Sequence, residues 1–221
     1  MRVAALWSAG KDSCLACYKA KLNGHKISSL LNFTSPDGKY SVSHGLSAKI
    51  IRKQAEMTGI NFLQKAISGK DYEKDFIALI LKLKKNEGIE GIVFGDIYLK
   101  EHKDWIDKVC KKIKVRPVMP LWGKGTEELA NEIIKKGFKA IIVSTRKELL
   151  GKEWLGREVN SGLIKEFKKM GNIDLCGEKG EFHTFVYDGP IFKNPVRFIT
   201  GKKALKDNHW FLTVNPDRQR K

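Results

Sequence analysis

Six residues near the N-terminus, Ser8-Ala9-Gly10-Lys11-Asp12-Ser13, place a glycine, two hydroxyls, a lysine and a carboxylate directly after the apolar run 3–7. A tight turn between a buried strand and a helix aims several backbone N–H groups and a helix N-terminus at one anion. Lys11 then adds a mobile positive charge for phosphate oxygens. The pattern reads as a phosphate-binding turn that handles ATP. A Walker-type loop needs four residues between its first glycine and Gly-Lys-Ser/Thr; that spacing is absent, which sets kinase-like γ-phosphate chemistry aside.

A second constellation fills residues 174–190, where Gly177 and Gly180 bracket Glu178, and Glu181 and His183 follow at strand spacing. Period-two alternation puts Glu181 and His183 on one face and Phe182 and Thr184 on the other. A positioned carboxylate and imidazole suit a cationic or amine-bearing substrate, or the movement of its protons. Two smaller motifs join them. Gly95-Asp96-Ile97 ends an apolar strand, so Gly95 permits close approach of a ligand and Asp96 offers a carboxylate to a nucleotide or its magnesium ion; a plain turn explains the pair equally well. Ser43-His44-Gly45 precedes a helix, and His44 is either a capping-region side chain or a ligand contact.

These residues need elements to hold them. Residues 2–7, 26–33, 61–67, 91–94 and 115–119 read as strands, alternating with helices at 13–23, 46–58, 71–86 and 100–113. Ile50, Ile51, Gln54 and Ala55 recur at helical spacing, and Phe76, Ile77, Ile80, Leu81 and Leu83 form an apolar stripe. The alternation predicts a Rossmann-like α/β fold of the HUP type, a parallel sheet with helices on both faces. Right-handed crossovers then gather the turns after Trp7, Phe33 and Phe94 at one sheet edge. Beyond Pro120-Leu121-Trp122-Gly123 the rhythm changes. Helices at 126–136 and 161–170 and strands at 140–145, 181–187, 196–200 and 210–214 make a smaller mixed α+β part, with a frayed basic tail at 215–221. The expected division is residues 1–122 for ATP and 123–221 for the second substrate.

The chain of 221 residues, 42% hydrophobic, has apolar content for a substantial core, and no apolar stretch approaches the roughly 20 residues of a membrane span. With no secretory pattern, the expected location is the cytoplasm. Cys14, Cys17, Cys110 and Cys176 are too scattered for a disulfide framework, and Cys14 and Cys17 read as small apolar helix residues facing the sheet. No Cys or His pair has zinc-site spacing, so no structural metal is expected. The net charge of +17 is spread over lysine-rich helix faces such as 82–85 and 111–114, without interleaved aromatics. Such a field speeds capture of ATP, an acidic protein surface or RNA, but nucleic acid is not the favoured partner. A homo-oligomer is compatible with the sequence.

Taken together, the motifs resemble the diphthine–ammonia ligase family over almost the whole chain. The matching residues are Ser8 to Ser13, Gln54-Ala55-Glu56, Gly95-Asp96-Ile97, Pro120-Leu121-Trp122, Leu155-Gly156-Arg157, the string Cys176-Gly-Glu-Lys-Gly-Glu-Phe-His-Thr-Phe-Val, and Asp188-Gly189-Pro190. The late string is the specific part, because the early loop is similar to the Ser-Gly-Gly-x-Asp-Ser signature shared by N-type ATP pyrophosphatases. Ala9 replaces the second glycine of that signature, which requires that this position need neither positive φ nor a side-chain-free approach.

The resemblance implies an AMP-forming amide ligase. ATP adenylates the carboxylate of diphthine on translation elongation factor 2, pyrophosphate leaves, and ammonia, supplied as ammonium, displaces AMP. It implies ATP and Mg2+ as cofactors, with Ser8 to Ser13, Phe33, His44, Gly95 and Asp96 at the nucleotide and Asp12 as a magnesium contact. Glu178, Glu181, His183 and Thr184 are the expected substrate residues, and Lys11, Asp12, Glu181 and His183 the expected catalytic ones. Two other readings stay open: a tRNA-modifying adenylating enzyme, and a nucleotide-binding protein without turnover.

Overall fold

The computed structural model describes residues 1–68 and 71–217. Five parallel strands, β1 (Arg2–Leu6), β2 (Lys26–Thr34), β3 (Asn61–Ala66), β4 (Gly91–Val93) and β5 (Arg116–Val118), alternate with helices α1 (Lys11–Leu22), α2 (Ala48–Thr58), α3 (Tyr72–Glu87) and α4 (Lys100–Ile113). The strand order is β3-β2-β1-β4-β5, so the chain reverses direction across the sheet between β1 and β4. The turns that leave those two strands therefore flank a crevice at the carboxyl edge, the position where open α/β sheets bind ligands.

Alternation along the central strand assigns the two faces. Val3, Ala5 and Trp7 join a buried cluster with Leu15 and Ala20 of α1 and Ile50, Ile51 and Ala55 of α2. Ala4 instead joins Phe76, Ile80 and Leu83 of α3 and Ile106, Val109 and Ile113 of α4. Helices thus cover both faces, as the alternating pattern predicted. Leu81 departs from that prediction and is 47% exposed. The stripe is narrower than the five expected positions because one helix face meets the sheet.

Helix α5 (Thr126–Lys135), β6 (Lys139–Arg146), α6 (Ser161–Met170), β7 (Phe182–Asp188), β8 (Phe198–Lys206) and β9 (His209–Pro216) follow. The four strands form an antiparallel sheet in the order β7-β6-β9-β8. Phe182, Phe185 and Val186 of β7 share the buried cluster of α1 and α2, so this sheet packs on the α1/α2 side. The run expected as a short strand at 196–200 is part of a longer hairpin, turned by Asp207 and Asn208 at φ 46° and 63°. Consecutive left-handed residues are what a two-residue hairpin turn requires. Of the basic tail expected at 215–221, Asn215 and Pro216 complete β9, and residues 218–221 lie outside the described residues.

Phe76 is fully buried against Phe33, Tyr72, Phe94 and Trp105, the aromatic group beneath the carboxyl edge. Phe76→Ala should cost about 3–5 kcal/mol in urea unfolding. A loss below about 1 kcal/mol would show that this aromatic group does not anchor α3 to the sheet.

Candidate functional site

Helix α1 starts earlier than the sequence pattern suggested, with Gly10 as its N-cap, so Lys11 and Asp12 lie in its first turn. Gly10 supplies no side-chain cap. Thr184 Oγ1, from β7, accepts the Lys11 N–H at 3.1 Å instead. The next amides, of Asp12 and Ser13, have no acceptor within the helix. Gly95 lies over this turn: a Cβ there would fall 3.0 Å from Ser13 N and 3.1 Å from the Asp12 carbonyl carbon. Glycine is needed at 95 because the obstructing atoms are backbone.

Ala9 overturns the expectation that its position avoids positive φ. Its φ is 71° and its methyl is buried. The conformation is held through its carbonyl, which accepts the Val186 N–H at 3.0 Å and Gln54 Nε2 at 2.9 Å. Gln54 is itself buried, accepting from Trp7 Nε1 at 2.7 Å and donating also to the Val186 carbonyl at 2.6 Å. Sequence periodicity marked Gln54 as core but carried no sign of this role.

Lys11 was expected to be mobile; it is buried, with 2% exposure. Its Nζ donates to Asp12 Oδ2 at 2.8 Å and to the Cys176 carbonyl, and lies 5.3 Å from the Phe182 ring centroid. Burial alone would lower its pKa, but Asp12 and the other acidic groups outweigh burial and hold the ammonium above its ordinary value. A buried charge has to be paired, and the nearest partners come from both halves of the chain.

The turn opens into a cavity of about 560 Å³. Ser8, Lys11, Asp12 and Ser13 line one side with Gly95 and Asp96; Cys176, Gly177, Glu178, Phe182, His183 and Thr184 line another; and Phe33, Tyr72, Phe94, Leu99 and Trp105 make an apolar wall. The sequence pattern places Tyr72 and Trp105 only within the helices at 71–86 and 100–113, and it is tertiary packing that brings them to the wall. His44 also lines the cavity, its ring stacked on His183 with centroids 4.6 Å apart. A Cβ at Gly10 would collide with that ring, so glycine there makes room for His44. Burial, then Lys11, His209 and Arg146, lower His183 to about 4, and burial, His183 and Lys11 push His44 well below its ordinary value. Both imidazoles are therefore neutral at pH 7.

The acidic residues divide. Glu178 accepts the Ile97 N–H at 2.9 Å and faces the cavity, its carboxyl raised chiefly by burial. Asp96 lines the cavity beside His102, 2.9 Å away. Glu181, expected to share an open face with His183, precedes β7, is 3% exposed and is outside the cavity lining. Its carboxylate accepts the N–H groups of Asp174 and Lys179 at 3.2 and 3.0 Å, so it secures the 174–181 loop. Cys14 and Cys17 are buried in α1, and burial pushes the Cys17 thiol up to about 12, which leaves it un-ionised.

The donor set suits a nucleotide: an apolar aromatic wall for a flat base, and a lysine with helix-start amides for phosphates. One oxygen also fits a cation. Among the described residues Asp12 Oδ1 is buried without a hydrogen-bond partner. No group of three or more His, Cys, Asp or Glu among them could hold a metal alone. Magnesium does not require one, since it is commonly bound by one or two carboxylates with substrate phosphates and water.

Comparison with known proteins gives two family matches, the Diphthamide synthase N-terminal domain over residues 1–117 and the Diphthamide synthase C-terminal domain over residues 125–218. The chain is similar to the diphthine–ammonia ligase of Mus musculus, 31% identical over 97% of this chain and 89% of that protein. Similarity to the Homo sapiens diphthine–ammonia ligase is 29% over the same shares. A crystal structure described as a predicted subunit of tRNA methyltransferase from Methanocaldococcus jannaschii DSM aligns with a TM-score of 0.46 and 17% identity, covering 89% of this chain and 100% of that one.

The histidine pair makes stability depend on pH. With His183 lowered to about 4 when folded, the unfolded chain takes up the proton first as pH falls through 6.5. Stability is full above that pH and declines toward about 4. His183→Gln should reduce this decline in urea midpoints measured across the window. An identical acid profile would show that His183 is not held neutral.

Proposed function

We propose that this chain, which belongs to the diphthamide synthase family, is an ATP-dependent amide ligase acting on a protein-borne carboxylate, the diphthine of translation elongation factor 2. The observation that carries the reading is the cavity shared by the Ser8–Ser13 turn and the 176–184 segment, with Lys11 between them. Residues 1–122 then hold ATP and residues 123–221 present the acceptor. The reaction would take place in the cytoplasm; no helix among the described residues is long and apolar enough to cross a membrane.

The chemistry follows from the lining. Adenine lies against Phe33, Tyr72 and Trp105, and the phosphates meet Ser8, Ser13 and the amides that open α1. A diphthine carboxylate oxygen attacks the α-phosphorus, and the bond to pyrophosphate breaks. Lys11 and the helix-start amides stabilise the negative charge that builds on the leaving group. Asp12, whose Oδ1 has no hydrogen-bond partner, would hold Mg2+ with phosphate oxygens and water, Asp96 lying on the same cavity, and the ion when bound neutralises phosphate charge. Ammonia then attacks the acyl carbon, AMP leaves with the bonding electron pair, and a primary amide remains.

Diphthine carries a trimethylammonium group, so its site must tolerate a cation. Glu178 supplies negative charge, and His44 and His183 add no positive charge at pH 7 because both are held neutral.

Exchange of labelled pyrophosphate into ATP tests both steps of the reading. Elongation factor 2 bearing diphthine should support exchange, and adding ammonium should convert ATP to AMP and the acceptor to its amide. Lys11→Met should lower exchange by about 10²-fold or more, comparable to removal of an oxyanion-type donor. Exchange that tRNA supports and the diphthine protein does not would overturn the acceptor, and a normal rate in Lys11→Met would remove Lys11 from catalysis.

A further inference from the structure

Gln54 is not among the residues that line the cavity but stands behind them, hydrogen-bonded to Trp7 and to the backbone of the 8–13 turn, and we infer that it is a positioning residue for ATP: it holds Ala9 in a left-handed conformation that would otherwise relax. The inference rests on the ligase reading of the same cavity. Alanine at φ 71° carries the Cβ–carbonyl repulsion that glycine escapes, about 1–2 kcal/mol. Something must offset that cost, and the Ala9 carbonyl shows what does. It is fixed at 2.9 Å by Gln54 Nε2 and at 3.0 Å by the Val186 N–H.

The direction of the Gln54 amide is determined by its neighbours. The Trp7 indole N–H is only a donor, so Oε1 must face it, and Nε2 is left to face the carbonyl oxygens of Ala9 and Val186. One side chain therefore ties the end of β1, the turn itself and β7 together. Glycine in the signature at this position would need no such brace. A turn with alanine does, because residues 10–13 follow directly from the φ and ψ of residue 9, and with them the Lys11, Asp12 and Ser13 amides.

A double-substitution cycle separates this role from ordinary core packing. Gln54→Met keeps size and shape but removes the hydrogen bonds. With Ala9 in place it should raise KM for ATP in pyrophosphate exchange about tenfold, with a smaller change in kcat. In the Ala9→Gly background the same Gln54→Met substitution should raise KM less than about threefold, because glycine adopts positive φ freely. Equal losses in the two backgrounds would overturn the inference, as would no loss with Ala9. If Gln54→Met does not fold alone, recovery of a folded, ATP-binding double variant Ala9→Gly/Gln54→Met is the same rescue, and its failure overturns the inference. Calorimetric ATP binding by the unsubstituted protein keeps the two readings apart. Absence of binding there defeats the ligase reading itself, whereas binding with an additive cycle defeats only the role of Gln54.

Discussion

A single carbonyl oxygen, that of Ala9, is where the two sheets and the Ser8–Ser13 turn meet. It accepts from Val186 in the antiparallel sheet and from Gln54 in α2, while two residues further on the Lys11 N–H donates to Thr184. Each such bond contributes roughly 1 kcal/mol net, but a buried donor or acceptor stranded by its loss costs about 1–3 kcal/mol. The arrangement is therefore stiff in proportion to what breaking it would expose. The start of α1, the approach of Gly95 and the seat of His44 above Gly10 all take their positions from it.

Around that backbone the charges are arranged along one cavity. Lys11 is held as an ammonium by Asp12 and a carbonyl, Glu178 is tied to the Gly95-Asp96-Ile97 turn, and two stacked imidazoles are kept neutral by burial and by Lys11. Preorganised donors in such an environment stabilise developing charge without reorganising at the moment of reaction. A positive field over the rest of the surface, from the net charge of +17, acts at longer range on capture of anions.

Much of this was legible in the residues. Strand and helix alternation in the first half yielded the parallel sheet, and the Ser8–Ser13, Gly95-Asp96 and 176–184 motifs do converge on one cavity. What escaped has identifiable causes. The φ of Ala9 is set by partners 45 and 177 positions away, so no local rule reports it. The burial of Lys11 depends on a carbonyl, and every residue has one. Glu181 keeps strand spacing with His183 but sits before β7, where a loop has first claim on its carboxylate. Tyr72 and Trp105 belong to different helices and become one wall only when both pack on the same sheet face. The strand expected at 196–200 is shorter than β8 because the lysines among residues 202–206 hide its alternation.

The hydrogen bond from Val186 to Ala9 has an evolutionary consequence. One fold can host many functions because sites are grafted onto it. Here the antiparallel half supplies hydrogen bonds that shape the Ser8–Ser13 turn, so a change in one half is felt in the other. Exchanging the second half for an unrelated module would remove one of the supports that give the first its shape.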